Sequence, residues 1–175
     1  MSFTGERPYG PPVKCGAPLS DITAGILAAL GILAAYTNKL KTGQGQWVET
    51  SLFEAALVQT YWQSAIALAT GVAPQAMGSA HPLNAPYQAF EASDGWPVVG
   101  GANQKNWLLM LEAMDASDLA GDPRFASGAD RMAHLKELET ELSKRFREKP
   151  AQYWLDALDA RGVPCGPVMN MLQAL

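Results

Sequence analysis

Asp21 stands immediately before the longest apolar run of the chain, Ile22 to Tyr36, which only Thr23 interrupts. If that run is helical, a carboxylate in its first turn lies among unsatisfied backbone N–H groups and at the positive end of the helix dipole, and both keep it ionised. An ionised carboxylate in such a place is a candidate for chemistry. The same position suits simple capping of the helix, by Asp21 or by Ser20 beside it. Local sequence leaves both roles open.

A second cluster lies in the stretch Gly78-Ser79-Ala80-His81-Pro82-Leu83-Asn84-Ala85-Pro86-Tyr87. Gly78, His81, Asn84 and Tyr87 are the candidate substrate-binding residues, because a glycine-containing loop can close over a reactive intermediate and keep water away. A linker with a surface histidine is the competing reading. Other polar groups have simpler roles. Lys41-Thr42-Gly43-Gln44-Gly45-Gln46 lacks P-loop spacing and precedes a strand-like segment, so it reads as a tight turn. Glu54 has a sufficient role in a capping box with Ser51, Glu49 is given no catalytic part, and His134 falls in a highly charged helix and is expected to be solvated. Cys15 and Cys165 have no CxxC or Cys/His spacing. They read as reduced thiols of a cytoplasmic protein, with no metal site.

The elements that position these residues follow from pattern. Residues 3–18 are rich in proline and glycine and are expected to be extended or turning. The apolar run from Ile22 reads as a buried helix covered on every side, shorter than a bilayer span. Trp47 to Ser51 has strand composition, and the Ser51–Glu54 box predicts a helix from Leu52 to Thr70. Ser93-Asp94-Gly95 between apolar runs predicts a hairpin, with Pro97 starting its second strand at a sheet edge. Asn103 should cap a helix with Trp107, Leu108, Leu111 and Met114 on one side, followed by helices over 130–147 and 150–162 and an extended stretch over 163–168.

This order argues a mixed α/β protein. The proline-rich loop from Gly71 to Pro86 marks a domain boundary. At 175 residues, 48% hydrophobic and 17% charged, the chain is globular rather than disordered. A net charge of -4 with scattered Lys and Arg gives no basic field for nucleic acid. The opening residues show no secretory pattern, so no membrane partner is expected.

Cys15-Gly16-Ala17-Pro18-Leu19-Ser20-Asp21 leads into Ala24-Gly25 and Gly31-Ile32-Leu33-Ala34-Ala35. Then come Lys41-Thr42-Gly43-Gln44-Gly45-Gln46, Ser51-Leu52, His81-Pro82, Ala85-Pro86-Tyr87, Ser93-Asp94-Gly95-Trp96 and Gly162-Val163-Pro164-Cys165-Gly166-Pro167-Val168. In that order and over essentially the whole chain, these segments resemble the family III coenzyme A transferases, the formyl-CoA transferase and carnitine/bile-acid CoA-transferase group. The resemblance implies part of a Rossmann-like large domain followed by a smaller α+β domain, with 1–70 the nucleophile-bearing segment of the large domain, 71–162 the small α+β domain and 163–175 the start of the return to the large one, and it implies an interlinked homodimer. It implies Asp21 as the nucleophile, acyl-CoA and a carboxylic acid as substrates, coenzyme A as a substrate rather than a bound cofactor, and aspartyl anhydride and aspartyl-CoA thioester intermediates. The chain lacks the glycine run that formyl-CoA transferase has near His81, which argues against formyl or oxalyl substrates. Two alternatives accompany this reading. One is the α-methylacyl-CoA racemase chemistry of the same group, whose glycine-rich run after the aspartate is replaced here by Ile22-Thr23-Ala24. The other is an inactive piece of a longer enzyme lacking an N-terminal α/β portion.

Overall fold

The computed structural model describes residues 3–175, which form two compact units, Met1–Gly78 and Ser79–Leu175. In the first unit the apolar run becomes α1, Leu19–Thr42. It stops at Gly43, whose left-handed φ of 77° costs glycine little and lets its N–H donate to the Lys39 carbonyl at 2.8 Å. The expected helix over 52–70 is two helices, α2 (Leu52–Val58) and α3 (Trp62–Thr70). The break falls at Tyr61, whose φ of 37° no helix can contain. Ser51 caps α2 as expected, accepting from the Glu54 N–H at 3.1 Å, but its hydroxyl rather than its backbone N–H meets the Glu54 carboxylate, at 2.9 Å. The Gln59 amide donates to the buried Thr23 hydroxyl at 2.7 Å and ties α2 to α1.

Trp47 to Ser51 is not a strand, because the described residues of this unit offer it no partner. The segment lies instead against α1, where Gly31 leaves room: a Cβ there would meet Val48 Cγ1 at 2.7 Å. Nor is α1 covered all round. It buries only Thr23 and Ala35, while Ile26, Leu30 and Leu33 are each more than 60% exposed. Its 24 residues, about 36 Å at the helical rise, are long and apolar enough to cross a bilayer. Core helices of soluble proteins pass the same test, so length decides nothing here.

The second unit holds a three-stranded antiparallel sheet in the order β1 (Tyr87–Ala89), β2 (Pro97–Gly100), β3 (Cys165–Pro167). The Asp-Gly hairpin closes as its sequence predicts, with the Ala92 N–H donating to the Gly95 carbonyl at 2.8 Å. β2 is the central strand rather than an edge. Pro97 is tolerated because it is the first residue, paired opposite Pro167, and no interior ladder N–H is lost. The stretch assigned at the outset to a return towards the larger domain thus pairs, over 165–167, with β2 of this sheet.

Six helices follow the hairpin: α4 (Gln104–Ala113), α5 (Ser117–Ala120), α6 (Gly128–Ala133), α7 (Leu135–Phe146), α8 (Ala151–Asp159) and, after β3, α9 (Met171–Ala174). A 3-10 turn, Pro123–Phe125, separates α5 from α6. Asn103 caps α4 as expected, and Trp107, Leu111 and Met114 are buried, though Leu108 faces outward. The helix expected over 130–147 divides at His134 (φ -114°, ψ 36°). That residue is half-buried rather than solvated, its Nδ1 lying 3.0 Å from the Asp130 carbonyl. The core centres on Phe146, which stacks on Phe90 at 4.6 Å and takes the edge of Trp154 at 5.3 Å. Mixed helix and sheet is the class the sequence implies, and among the described residues every strand lies in the second unit.

Candidate active site

Asp21 lies in the first turn of α1 with its side chain exposed. Pro18 occupies the N-cap and no side chain caps the helix, so neither Ser20 nor Asp21 is consumed in that role. Among the described residues the Asp21 carboxylate makes no hydrogen bond and no ion pair. A helix N-terminus favours negative charge, and no group among the described residues competes for the oxygens of this side chain.

Gly78 also belongs to the first unit, where its φ of 61° turns the chain and its N–H donates to the Gly5 carbonyl at 2.9 Å. The other three candidates meet in the second unit. The His81 ring stacks flat on Tyr87, with centroids 5.3 Å apart and planes within 3°. Its backbone N–H donates to the Tyr87 carbonyl at 2.9 Å, and its Nδ1 accepts from the Leu83 N–H at 3.1 Å. That bond puts the proton of the neutral ring on Nε2. Asn84 Nδ2 lies 3.3 Å from the same Nδ1.

Asn84 and Tyr87 open onto a cleft of about 570 Å³ over one face of the sheet, which is also lined by Val98, Asn103, Asn106 and Cys165. Val98 contributes because alternate residues of β2 point away from the core. Asn103 contributes because it caps α4, its Oδ1 accepting from the Asn106 N–H at 2.8 Å. The lining residues carry no formal charge: amides and a phenol rim an apolar floor. Burial raises the Cys165 thiol above its ordinary pKa, with Asp159 adding to the effect, and the thiol faces the Leu155 carbonyl at 3.7 Å. It is a poor thiolate nucleophile.

Arg131 is the residue that sequence reading missed. It is fully buried, yet it pairs with no carboxylate. Nε donates to the Ala85 carbonyl (2.9 Å), Nη1 to Gln104 Oε1 (3.0 Å) and the Phe125 carbonyl (3.1 Å), and Nη2 to the Ala102 carbonyl (3.0 Å). The guanidinium also lies 5.0 Å from the centre of the Trp107 ring. Burial lowers its pKa and the neighbouring Asp130 charge opposes that. In sequence it is one charge among many in a polar helix, and no local signal marks it.

Residues 1–175 match the profile of CoA-transferase family III over their whole length. The chain belongs to that family. Among curated relatives, the acetyl-CoA:oxalate CoA-transferase of Acetobacter aceti is 35% identical over 170 residues, covering 95% of this chain and 43% of that protein. The human succinyl-CoA:glutarate CoA-transferase is 32% identical, covering 98% and 39%. A crystal structure of a CAIB/BAIF family protein from Brucella suis superposes with a TM-score of 0.81 at 32% identity, over 99% of this chain and 46% of that one. The chain thus spans less than half the length of these family III relatives. Among the described residues no three His, Cys, Asp or Glu side chains cluster.

Proposed function

We propose that the chain is the nucleophile-bearing part of a family III CoA-transferase, one that moves coenzyme A from an acyl-CoA to a carboxylic acid through Asp21. The observation that carries this reading is an exposed carboxylate, unclaimed by any side chain, in the first turn of the long helix of a family III chain. The Asp21 carboxylate attacks the thioester carbonyl and expels CoA thiolate, leaving a mixed anhydride. The thiolate then attacks the aspartyl carbonyl, releasing the donor acid and leaving an aspartyl-CoA thioester. The acceptor carboxylate reverses both steps and departs as the new acyl-CoA. Each step exchanges one leaving group for another, so no oxidant or metal is required. The two curated relatives described above, both CoA-transferases, favour this over racemase chemistry.

The cleft rimmed by Asn84, Tyr87, Asn103 and Asn106 is proposed to take the uncharged part of the acyl-CoA, its amide-bearing pantetheine arm. Amides satisfy amides, and the absence of cations from the lining disfavours the phosphates. His81, stacked on Tyr87 and 3.3 Å from Asn84 through its Nδ1, supports this wall. A cytoplasmic homodimer is the setting the reading implies.

A second reading has its own support: the short span and the exposed apolar length of α1 fit a piece that is inactive until completed. Intact-mass measurement after incubation with acyl-CoA separates the two. The chain alone, and the chain completed by the parts of the Acetobacter aceti relative it does not span, are each compared with Asp21→Ala. An adduct on both wild-type forms supports an active chain, and an adduct on the completed form alone supports the inactive piece. No adduct on either, or one surviving in Asp21→Ala, refutes Asp21 as nucleophile.

A further inference from the structure

While Asn106 lies on α4, the other two amides of the cleft, Asn84 and Asn103, sit on two loops, neither of them a regular element. Both are held from behind by one side chain. Arg131 donates to the Ala85 carbonyl, 46 residues away in sequence and next to Asn84, and to the Ala102 carbonyl, 29 residues away and next to Asn103. We propose that Arg131 is the positioning residue of the cleft, a planar fork that sets the separation of the two loops and so the spacing of the asparagine amides. The identity of the ligand rests on the function proposed above; the positioning role does not.

Core support alone does not explain an arginine here. The carboxylate that could balance it, Asp130, is engaged with the Ser127 N–H (3.1 Å) and hydroxyl (2.6 Å). A charge is therefore buried against four neutral oxygens, a costly arrangement unless fixed donor geometry is what the site needs. Lysine could reach some of those oxygens but not hold them in one plane.

Hydrogen exchange on the 175-residue chain tests this in Arg131→Lys, with Arg131→Met beside it and Phe146→Leu as a control that loosens the core without touching the loops. In Arg131→Lys the amides of His81, Leu83 and Asn106 are expected to exchange at least about tenfold faster while those of Leu142 and Trp154 keep their wild-type rates. Acceleration of all five by one common factor, as in the control, would overturn the positioning role, and so would no acceleration. If Arg131→Met fails to fold, the lysine variant still decides. Titration with pantetheine, followed on the side-chain amide signals of Asn84, Asn103 and Asn106, is the separate arm. Movement in the wild type, weakened about tenfold or more in Arg131→Lys, supports both ideas. Unmoved wild-type signals refute the pantetheine reading and leave the exchange result to stand on its own.

Discussion

Arg131→Met keeps most of the side-chain volume and removes the fork. Four donations disappear, two of them to the carbonyls of Ala85 and Phe125 in fully buried surroundings. Each orphaned buried acceptor costs about 1–2 kcal/mol, whereas the Ala102 carbonyl and the Gln104 amide are only partly buried and can turn to water. The lost charge-assisted bonds and the relieved desolvation of the ion are comparable and opposed, and roughly cancel. The net loss is about 2–4 kcal/mol, or roughly 30- to 1,000-fold in the unfolding equilibrium. Urea unfolding followed by tryptophan fluorescence measures it, with Trp107 reporting directly because the guanidinium lies over its ring. The denaturant slope should stay at the wild-type value, since the surface exposed on unfolding hardly changes. A loss below about 0.5 kcal/mol would show that the carbonyls find other donors, and would refute the reasoning.

Further tests touch other parts of the molecule. Gly101→Ala places a Cβ 2.7 Å from Met110 Sδ and 3.2 Å from Pro86 Cγ, so a loss of about 1–3 kcal/mol is expected in the same urea experiment. Iodoacetamide near pH 8 should alkylate exposed Cys15 well before Cys165, and peptide mapping that finds Cys165 modified first would contradict its burial. Because the folded Cys165 pKa lies above the free-thiol value of 9.0, its contribution to stability is present below that value and is lost as pH rises through the folded one. For Asp122, whose pKa the Arg124 hydrogen bond lowers, the sign reverses: its contribution is present above the ordinary value of 3.8 and is lost as pH falls through the lower folded pKa. Comparing wild type with Asp122→Asn in acid unfolding shows whether the difference closes in that direction.

Local signals in the sequence reached the features that are local in origin. The start of α1, the Asp-Gly hairpin, the Asn103 cap and the entry of α8 after Pro150 each depend on a few neighbouring residues whose backbone preferences agree. Features set by distant partners were beyond its reach. Trp47 to Ser51 has strand composition, but a strand exists only where a neighbour accepts its hydrogen bonds. The break at Tyr61 requires a positive φ that no tyrosine propensity announces. Pro97 was read as an edge because the third strand lies 65 or more residues further along, beyond any local window. Within the candidate site, Asp21 was proposed from its place before an apolar run together with family likeness. Arg131 was not, because its burial depends on carbonyls from three separate loops.

The proposed exchange of acyl partners on Asp21 can be read from the path of oxygen. In the proposed sequence the acceptor carboxylate attacks the aspartyl-CoA thioester, and its own oxygen becomes the bridge of the anhydride. When thiolate then takes the acceptor's carbonyl, that oxygen stays on the aspartate. Turnover by the completed protein with a heavy-oxygen-labelled acceptor acid should therefore leave the label on the peptide containing Asp21, and Asp21→Ala should show neither label nor turnover. Turnover that leaves Asp21 unlabelled would contradict the account.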